Sequence, residues 1–221
     1  MQQRCESVGG PLPGEDAAKS EKVLPMDVYR RGRCSCFAYC VGRLFCWFFG
    51  WRVQGPVPEF PKFVVIFAPH TSNWDLPVML AVSFVLRVKG HWLAKDAIFW
   101  GPCGWFFRGL GGIPVDRSSR AKTVDQAVQA FEQNESMVLA MAPGGTRAYR
   151  DHWKSGFYRI ALQAKVPIVL SFADYDRRVA GNGGTLWPTG DVEADLAQIQ
   201  AFYDTVEPRH PEWRSLIRFL H

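Results

Sequence analysis

The sequence has no CxxC pair, and no histidine lies near its cysteine cluster Cys34, Cys36, Cys40 and Cys46, so a zinc site is not expected. It has no GxSxG elbow, which removes a serine hydrolase of that type. HExxH, a Walker P-loop and a complete GxGxxG are also missing, so nothing points to a zincin, a P-loop nucleotidase or a dinucleotide enzyme. No RNP or zinc-finger motif is present, and no nucleic-acid partner is expected. No internal repeat is visible. No apolar stretch follows the first residues, so no secretory signal is expected. No uncharged run reaches the roughly 20 residues that a spanning helix needs.

What is there is globular. With 48% hydrophobic and 21% charged residues, the 221-residue chain has the composition of a folded protein and the length of one domain. Aromatics reach 14%, with 16 Phe and 9 Trp, and such an excess of large rings suggests an interface, a membrane surface among them. The net charge is +5. Seven basic residues against two acidic ones between Arg87 and Lys122 account for that whole surplus. A local basic field attracts phosphate or anionic lipid, although a solvated face has the same composition. The cysteines read as small hydrophobes on a reducing, cytosolic side.

Residues 1–33 carry six basic and five acidic residues and few large apolar groups, and read as a disordered tail. Residues 34–55 are expected to associate with a membrane. Within them Cys34–Trp51 (CSCFAYCVGRLFCWFFGW) is 18 residues with one charge, Arg43, preceded by Arg30, Arg31 and Arg33. An interfacial helix, with Arg43 snorkelling and Trp47 and Trp51 at headgroup depth, fits this run better than a spanning one. A helix packed on the domain is the competing reading. The main domain is expected over 56–206, with 207–221 as a C-terminal tail.

Within the domain, apolar strands are predicted at Lys62–Ala68, Gly90–Ala94, Ile113–Val115, Ser136–Ala142 and Pro167–Ala173. Helices are predicted at Leu76–Val88, Ala97–Leu110, Ala121–Gln133, Gly156–Lys165 and Asp191–Val206. Strands separated by helices imply an α/β fold: a central, largely parallel mixed sheet flanked by helices, preceded by the N-terminal helical segment.

In such folds chemistry gathers in loops beyond the strand ends. The first strand runs into Pro69-His70-Thr71-Ser72-Asn73-Trp74-Asp75. A carboxylate that accepts from one imidazole nitrogen leaves the other as a base, so His70 and Asp75 form a candidate dyad. Structural use of His70, with Ser72 or Asn73 capping the next helix, is the alternative. No enzyme nucleophile accompanies the pair, which suggests direct activation of a substrate hydroxyl. Gly111-Gly112-Ile113-Pro114-Val115-Asp116-Arg117 offers close backbone approach and a guanidinium for phosphate. Pro143-Gly144-Gly145-Thr146-Arg147 offers backbone amides, a hydroxyl and a second guanidinium.

Taken in order, H-x-x-x-x-D, G-G-I-P-V-D-R, P-G-G-T-R and Val166-Pro167-Ile168-Val169 resemble the four blocks of the glycerolipid acyltransferases, the lysophosphatidic acid acyltransferase-like family. The resemblance spans roughly residues 45–175, including Lys95-Asp96 and Trp153-Lys154-Ser155-Gly156-Phe157. It implies that His70 takes a proton from an acceptor hydroxyl and Asp75 orients His70. It implies an acyl thioester donor, acyl-CoA or acyl-ACP, with no other cofactor and no metal. Arg117 with Gly144, Gly145, Thr146 and Arg147 would hold the phosphate of a lysophospholipid, foremost 1-acyl-sn-glycerol-3-phosphate. The implied setting is an anionic membrane surface on its cytoplasmic face. The family's third block carries glutamate where this chain has Gly144. That departure points either to an altered acceptor site or to a weakly active or non-catalytic lipid-binding member.

Overall fold

A computed structural model describes residues 36–95, 100, 104, 111–115 and 120–220 of the chain. The 1–33 tail, Arg117 and most of the expected helix over Ala97–Leu110 lie outside the described residues. In chain order the elements are α1 (Cys36–Phe49), β1 (Arg52–Gln54), β2 (Lys62–Phe67), α2 (Asp75–Val85), β3 (His91–Lys95) and β4 (Gly112–Val115). There follow α3 (Arg120–Gln133), β5 (Met137–Met141), α4 (Gly156–Ala164), β6 (Ile168–Asp174), β7 (Val179–Leu186) and α5 (Val192–Tyr203).

The strands form one seven-stranded sheet in the order β1-β7-β6-β2-β5-β3-β4. Every neighbouring pair is parallel except β6 with β7. The mixed, largely parallel α/β architecture is therefore the expected one. β2 lies at the centre because its residues are apolar on both faces. Val64 and Ile66 join the core under α3, α4 and α5, with Phe131, Phe157, Ile160 and Ile199. Phe67 points to the other layer, with Val78 and Val82 of α2 and Cys46 of α1. β6 is buried along its whole length, as a central strand covered on both faces must be.

Two strands escape the periodicity. β7 (VAGNGGTL) is rich in glycine, which carries no strand signal of its own. It is a strand because the buried β6 supplies an antiparallel ladder from Ile168↔Leu186 to Asp174↔Val179, with one register shift between Leu170 and Ser171 that passes over Gly183. β1 has three residues and pairs with β7, so sheet structure begins inside the segment expected to serve only the membrane. The segment after α5, expected as a tail, is packed. Its backbone bonds residues 150–153 through Leu216 N–H to Arg150 O (3.1 Å) and Trp153 N–H to Arg218 O (2.9 Å). Ile217 and Phe219 lie against the core.

α1 packs on α2, and Gly42 marks the crossing. A Cβ at position 42 would come within 2.8 Å of the Ala81 carbonyl oxygen and 2.9 Å of Phe84 Cβ. One face of α1 is thereby buried and the other is left outside, where Phe37, Leu44, Trp47 and Phe48 are exposed. At 1.5 Å per residue α1 is about 21 Å long. No helix among the described residues is long and apolar enough to cross a membrane. The two readings of this segment are thus joined in one helix, packed on one side and apolar on the other. Gly42→Leu places the better helix former in α1 yet overfills the crossing. It should lower the unfolding free energy by about 1–3 kcal/mol, read from urea denaturation; an unchanged midpoint would refute the close packing of α1 on α2.

Candidate active site

β2 delivers the chain to His70 at its C-terminal end, and Asp75 opens α2. The turn between them is closed by the aspartate itself. Asp75 Oδ2 accepts the backbone N–H groups of Thr71 and Ser72, both at 2.9 Å, and His70 Nδ1–H at 2.8 Å. The five-residue spacing therefore follows from a carboxylate folding back over its own turn. Asp75 is 1% exposed. A charge buried to that degree must be fully hydrogen-bonded. Its second oxygen, Oδ1, accepts the Tyr175 hydroxyl at 2.6 Å. With Nδ1 donating to Asp75, a neutral His70 carries its lone pair on Nε2.

Burial alone would raise the Asp75 pKa, but hydrogen bonds from His70, Tyr175 and the Ser72 amide, with the His70 charge, outweigh it and hold the carboxyl below its ordinary value. Tyr175 is pushed far above the usual phenol value by burial and by its bond to Asp75, so it stays a donor.

The third block lies beside this pair. Arg147 donates to Asn73 Oδ1, which ties the P-G-G-T-R loop to the H-x-x-x-x-D loop. Gly145 has φ +65, and a Cβ there would stand 2.6 Å from Lys154 Nζ, so the lysine lies directly over the glycine turn. Together these residues border a groove of about 810 Å³ lined by His70, Thr146, Arg147, His152, Lys154 and Arg159, with Phe157, Ile160 and Phe219 on its apolar side. No carboxylate is among its described lining residues. The groove therefore offers an anion several donors, of which His152 is already paired with the Asp151 carboxylate at 2.6 Å. A smaller cavity of about 80 Å³ adjoins His70 and is bounded by Gly144, Thr146, Gln200, Asp204, Arg214 and Ser215. At Gly144 a Cβ would make only ordinary contacts, 3.5 Å to Thr146 O and 3.6 Å to Ser215 Oγ. Space beside His70 thus remains where a longer side chain would stand.

Of the residues picked out from the sequence, His70, Asp75, Gly144, Gly145, Thr146 and Arg147 come together here; Arg117 lies outside the described residues. Sequence reasoning missed Asn73 as the partner of Arg147, Lys154 as a donor over Gly145, and Tyr175. Tyr175 had a usable signal, since it is the first residue past the C-terminal end of a buried strand, the position where parallel α/β folds place their chemistry. Among the described residues no group of three His, Cys, Asp or Glu side chains converges to hold a metal ion.

The Acyltransferase family model matches residues 52–170 of the chain. Among solved structures, the crystal structure of the 1-acyl-sn-glycerophosphate (LPA) acyltransferase PlsC from Thermotoga maritima is similar in fold, with a TM-score of 0.52 and 21% identity, covering 82% of this chain and 84% of that one. Comparison with curated proteins gives no match.

Because the folded Asp75 carboxyl titrates below its unfolded value, its contribution to stability is complete above the unfolded pKa near 3.8 and is lost as the pH falls through the folded one. The stability difference between the native protein and Asp75→Asn should shrink as the pH falls below about 4. Urea titrations across that range measure it, and a difference that persists undiminished at pH 3 would contradict the assignment.

Proposed function

The chain belongs to the acyltransferase family, and from that premise we propose that it esterifies a hydroxyl of a lysophospholipid, foremost 1-acyl-sn-glycerol-3-phosphate, using an acyl thioester of coenzyme A or acyl carrier protein. The observation that carries this reading is the His70–Asp75 pair, 2.8 Å apart, at the edge of a basic groove free of described carboxylates. His70 Nε2 accepts the proton as the acceptor hydroxyl attacks the thioester carbonyl. The C–S bond then breaks, and the proton passes from His70 to the leaving thiolate. Asp75 holds the ring and stabilises the imidazolium formed between these steps. No covalent acyl-enzyme is required.

Arg147, Thr146 and the Gly144 amide hold the acceptor phosphate, with Lys154 beside them and Arg117 as a further ligand; the Gly145 N–H, expected to join them, is instead donated to Ala142 O at 3.0 Å. The aromatic stretch Phe99–Phe107 is assigned to the acyl chain. Gly144, where the family's glutamate is missing, leaves the acceptor end roomier and more positive. That same substitution supports the second reading, a lipid-binding member with weak or no turnover.

The outer face of α1 supports membrane association. Trp47 and Phe37 are each 78% exposed, and Leu44 and Phe48 continue the face. Leu76 and Leu80 of α2 are also exposed, as is Trp74 just before it. An apolar surface edged by aromatic rings suits the headgroup region of a bilayer, with the basic residues of the chain drawn to anionic lipid. The free thiols of Cys36 and Cys40 suit the reducing, cytoplasmic side of that membrane.

His70→Ala should lower acyl transfer by roughly 10²-fold or more, measured as kcat/KM with acyl-CoA and acyl-ACP over several lysophospholipids. Wild-type rates in the variant would overturn the base assignment, and a native protein that binds lysolipid without turnover would favour the second reading. Removing the whole N-terminal segment would also strip α2 of its packing, so the membrane reading is better tested by Trp47→Asp with Phe48→Asp. That double variant should keep its thermal stability and lose most co-sedimentation with anionic liposomes. Undiminished binding would refute the docking face.

A further inference from the structure

We propose that Tyr175 is a positioning residue of the His70–Asp75 pair, its hydroxyl pinning the carboxylate so that one defined oxygen faces the imidazole. This inference rests on the acyl-transfer reading above. The two oxygens of Asp75 are held in different ways. Oδ2 accepts His70 Nδ1–H and the Thr71 and Ser72 amides, all from its own turn. Oδ1 accepts the Tyr175 hydroxyl, at 2.6 Å, from an element 100 residues further along the chain. Local donors alone hold the carboxylate at one corner. The distant hydroxyl holds the other corner and so fixes the plane of the group.

Tyr175 is itself held firmly enough for that task. Its backbone N–H donates to Glu207 O at 2.8 Å, anchoring it to the segment after α5. Its ring meets the Trp51 ring edge-on, with centroids 5.0 Å apart. Trp51 is buried just past the C-terminus of α1. The Arg209 guanidinium lies 6.0 Å from the Tyr175 ring and 5.8 Å from that of Trp74, the neighbour of Asp75. The ionisable groups around the hydroxyl are thus Asp75 and, through it, His70, with Arg209 and Arg178 on the outer side. Both arginines favour the phenolate, but Asp75 and burial oppose it and keep the proton on oxygen.

The consequence is electrostatic as well as geometric. A hydroxyl donating to Oδ1 draws negative charge away from Oδ2. Without it, more of that charge faces His70 and the imidazolium is stabilised further. The base then becomes neutral only at higher pH. A residue that merely packed would leave that titration where it is.

Tyr175→Phe separates the two, because it keeps the ring, its contact with Trp51 and its place over Arg209. With palmitoyl-coenzyme A and 1-acyl-glycerol-3-phosphate as substrates, the acid limb of kcat/KM should move up by about 0.5–1 pH unit. The variant's kcat should fall about 10-fold, with KM for both substrates little changed. The titration of His70 by NMR, its resonance identified by its loss in His70→Gln, should move up by the same amount in the full-length protein without substrate. An unmoved acid limb together with an unmoved His70 titration would overturn the inference, whatever happens to the rate. Should the native protein show no acyl transfer, the functional reading fails on that result, and the NMR titration alone still decides the role of Tyr175.

Discussion

The buried carboxylate of Asp75 is the constraint around which the rest is arranged. An ionised group at 1% exposure survives only if its oxygens are supplied with donors. Two amides come from the turn that the aspartate closes, one N–H from His70 and one O–H from Tyr175. Those donors are brought together by the sheet. β2 and β6 are parallel neighbours, paired from Val64↔Ile168 to Phe67↔Ser171, so their C-terminal ends release His70 and Tyr175 on the same edge. The Tyr203 hydroxyl, in reach of both Ile66 O and Ser171 O at 3.1 Å, links α5 to these two strands. A buried charge is thus the point to which α2, β2, β6 and, through Tyr175, the segment after α5 all contribute.

The same edge collects positive charge. Arg147 bonds to Asn73, Lys154 lies over Gly145, and His152 and Arg159 complete the groove wall. Asn73 Oδ1 and the Asp151 carboxylate already accept from Arg147 and His152. This side of the groove is basic, while its apolar side is built by α4 and by Phe219 from the C-terminal segment. Away from the groove, α1 and α2 present their outer apolar face, and Phe49 of α1 meets Trp74 edge-on with ring centroids 5.4 Å apart. The apolar helix and the dyad turn are in direct contact, so the surface assigned to lipid and the surface assigned to chemistry are parts of one packed body.

Much of this was legible from residues alone, and the exceptions have physical reasons. The runs KFVVIF and IVLSFAD read as strands because both of their faces are apolar. The H-x-x-x-x-D and P-G-G-T-R blocks read as site loops because each follows such a strand. β7 was not legible, because glycine lacks both the side-chain pattern and the propensity of a strand. The segment after α5 was not legible either. Its tie to residues 150–153 runs through backbone groups, which every sequence has, and through Ser215 Oγ and Arg218 Nε, whose partners are again backbone atoms, while Ile217 and Phe219 pack on the core.

By itself, the sequence determined the alternation of strands and helices, the pairing of His70 with Asp75 and the apolar character of the N-terminal helix. All three depend on residues near one another in the chain, where spacing and residue type suffice. Tertiary structure decided which distant groups meet them. It set Tyr175 against Asp75, Arg147 against Asn73, Lys154 over Gly145 and the C-terminal segment against the site. It also decided which face of α1 is spent on α2 and which is left exposed. Contacts of that kind are fixed by the order and register of strands in the sheet, and neither leaves a periodic mark on the residues that result.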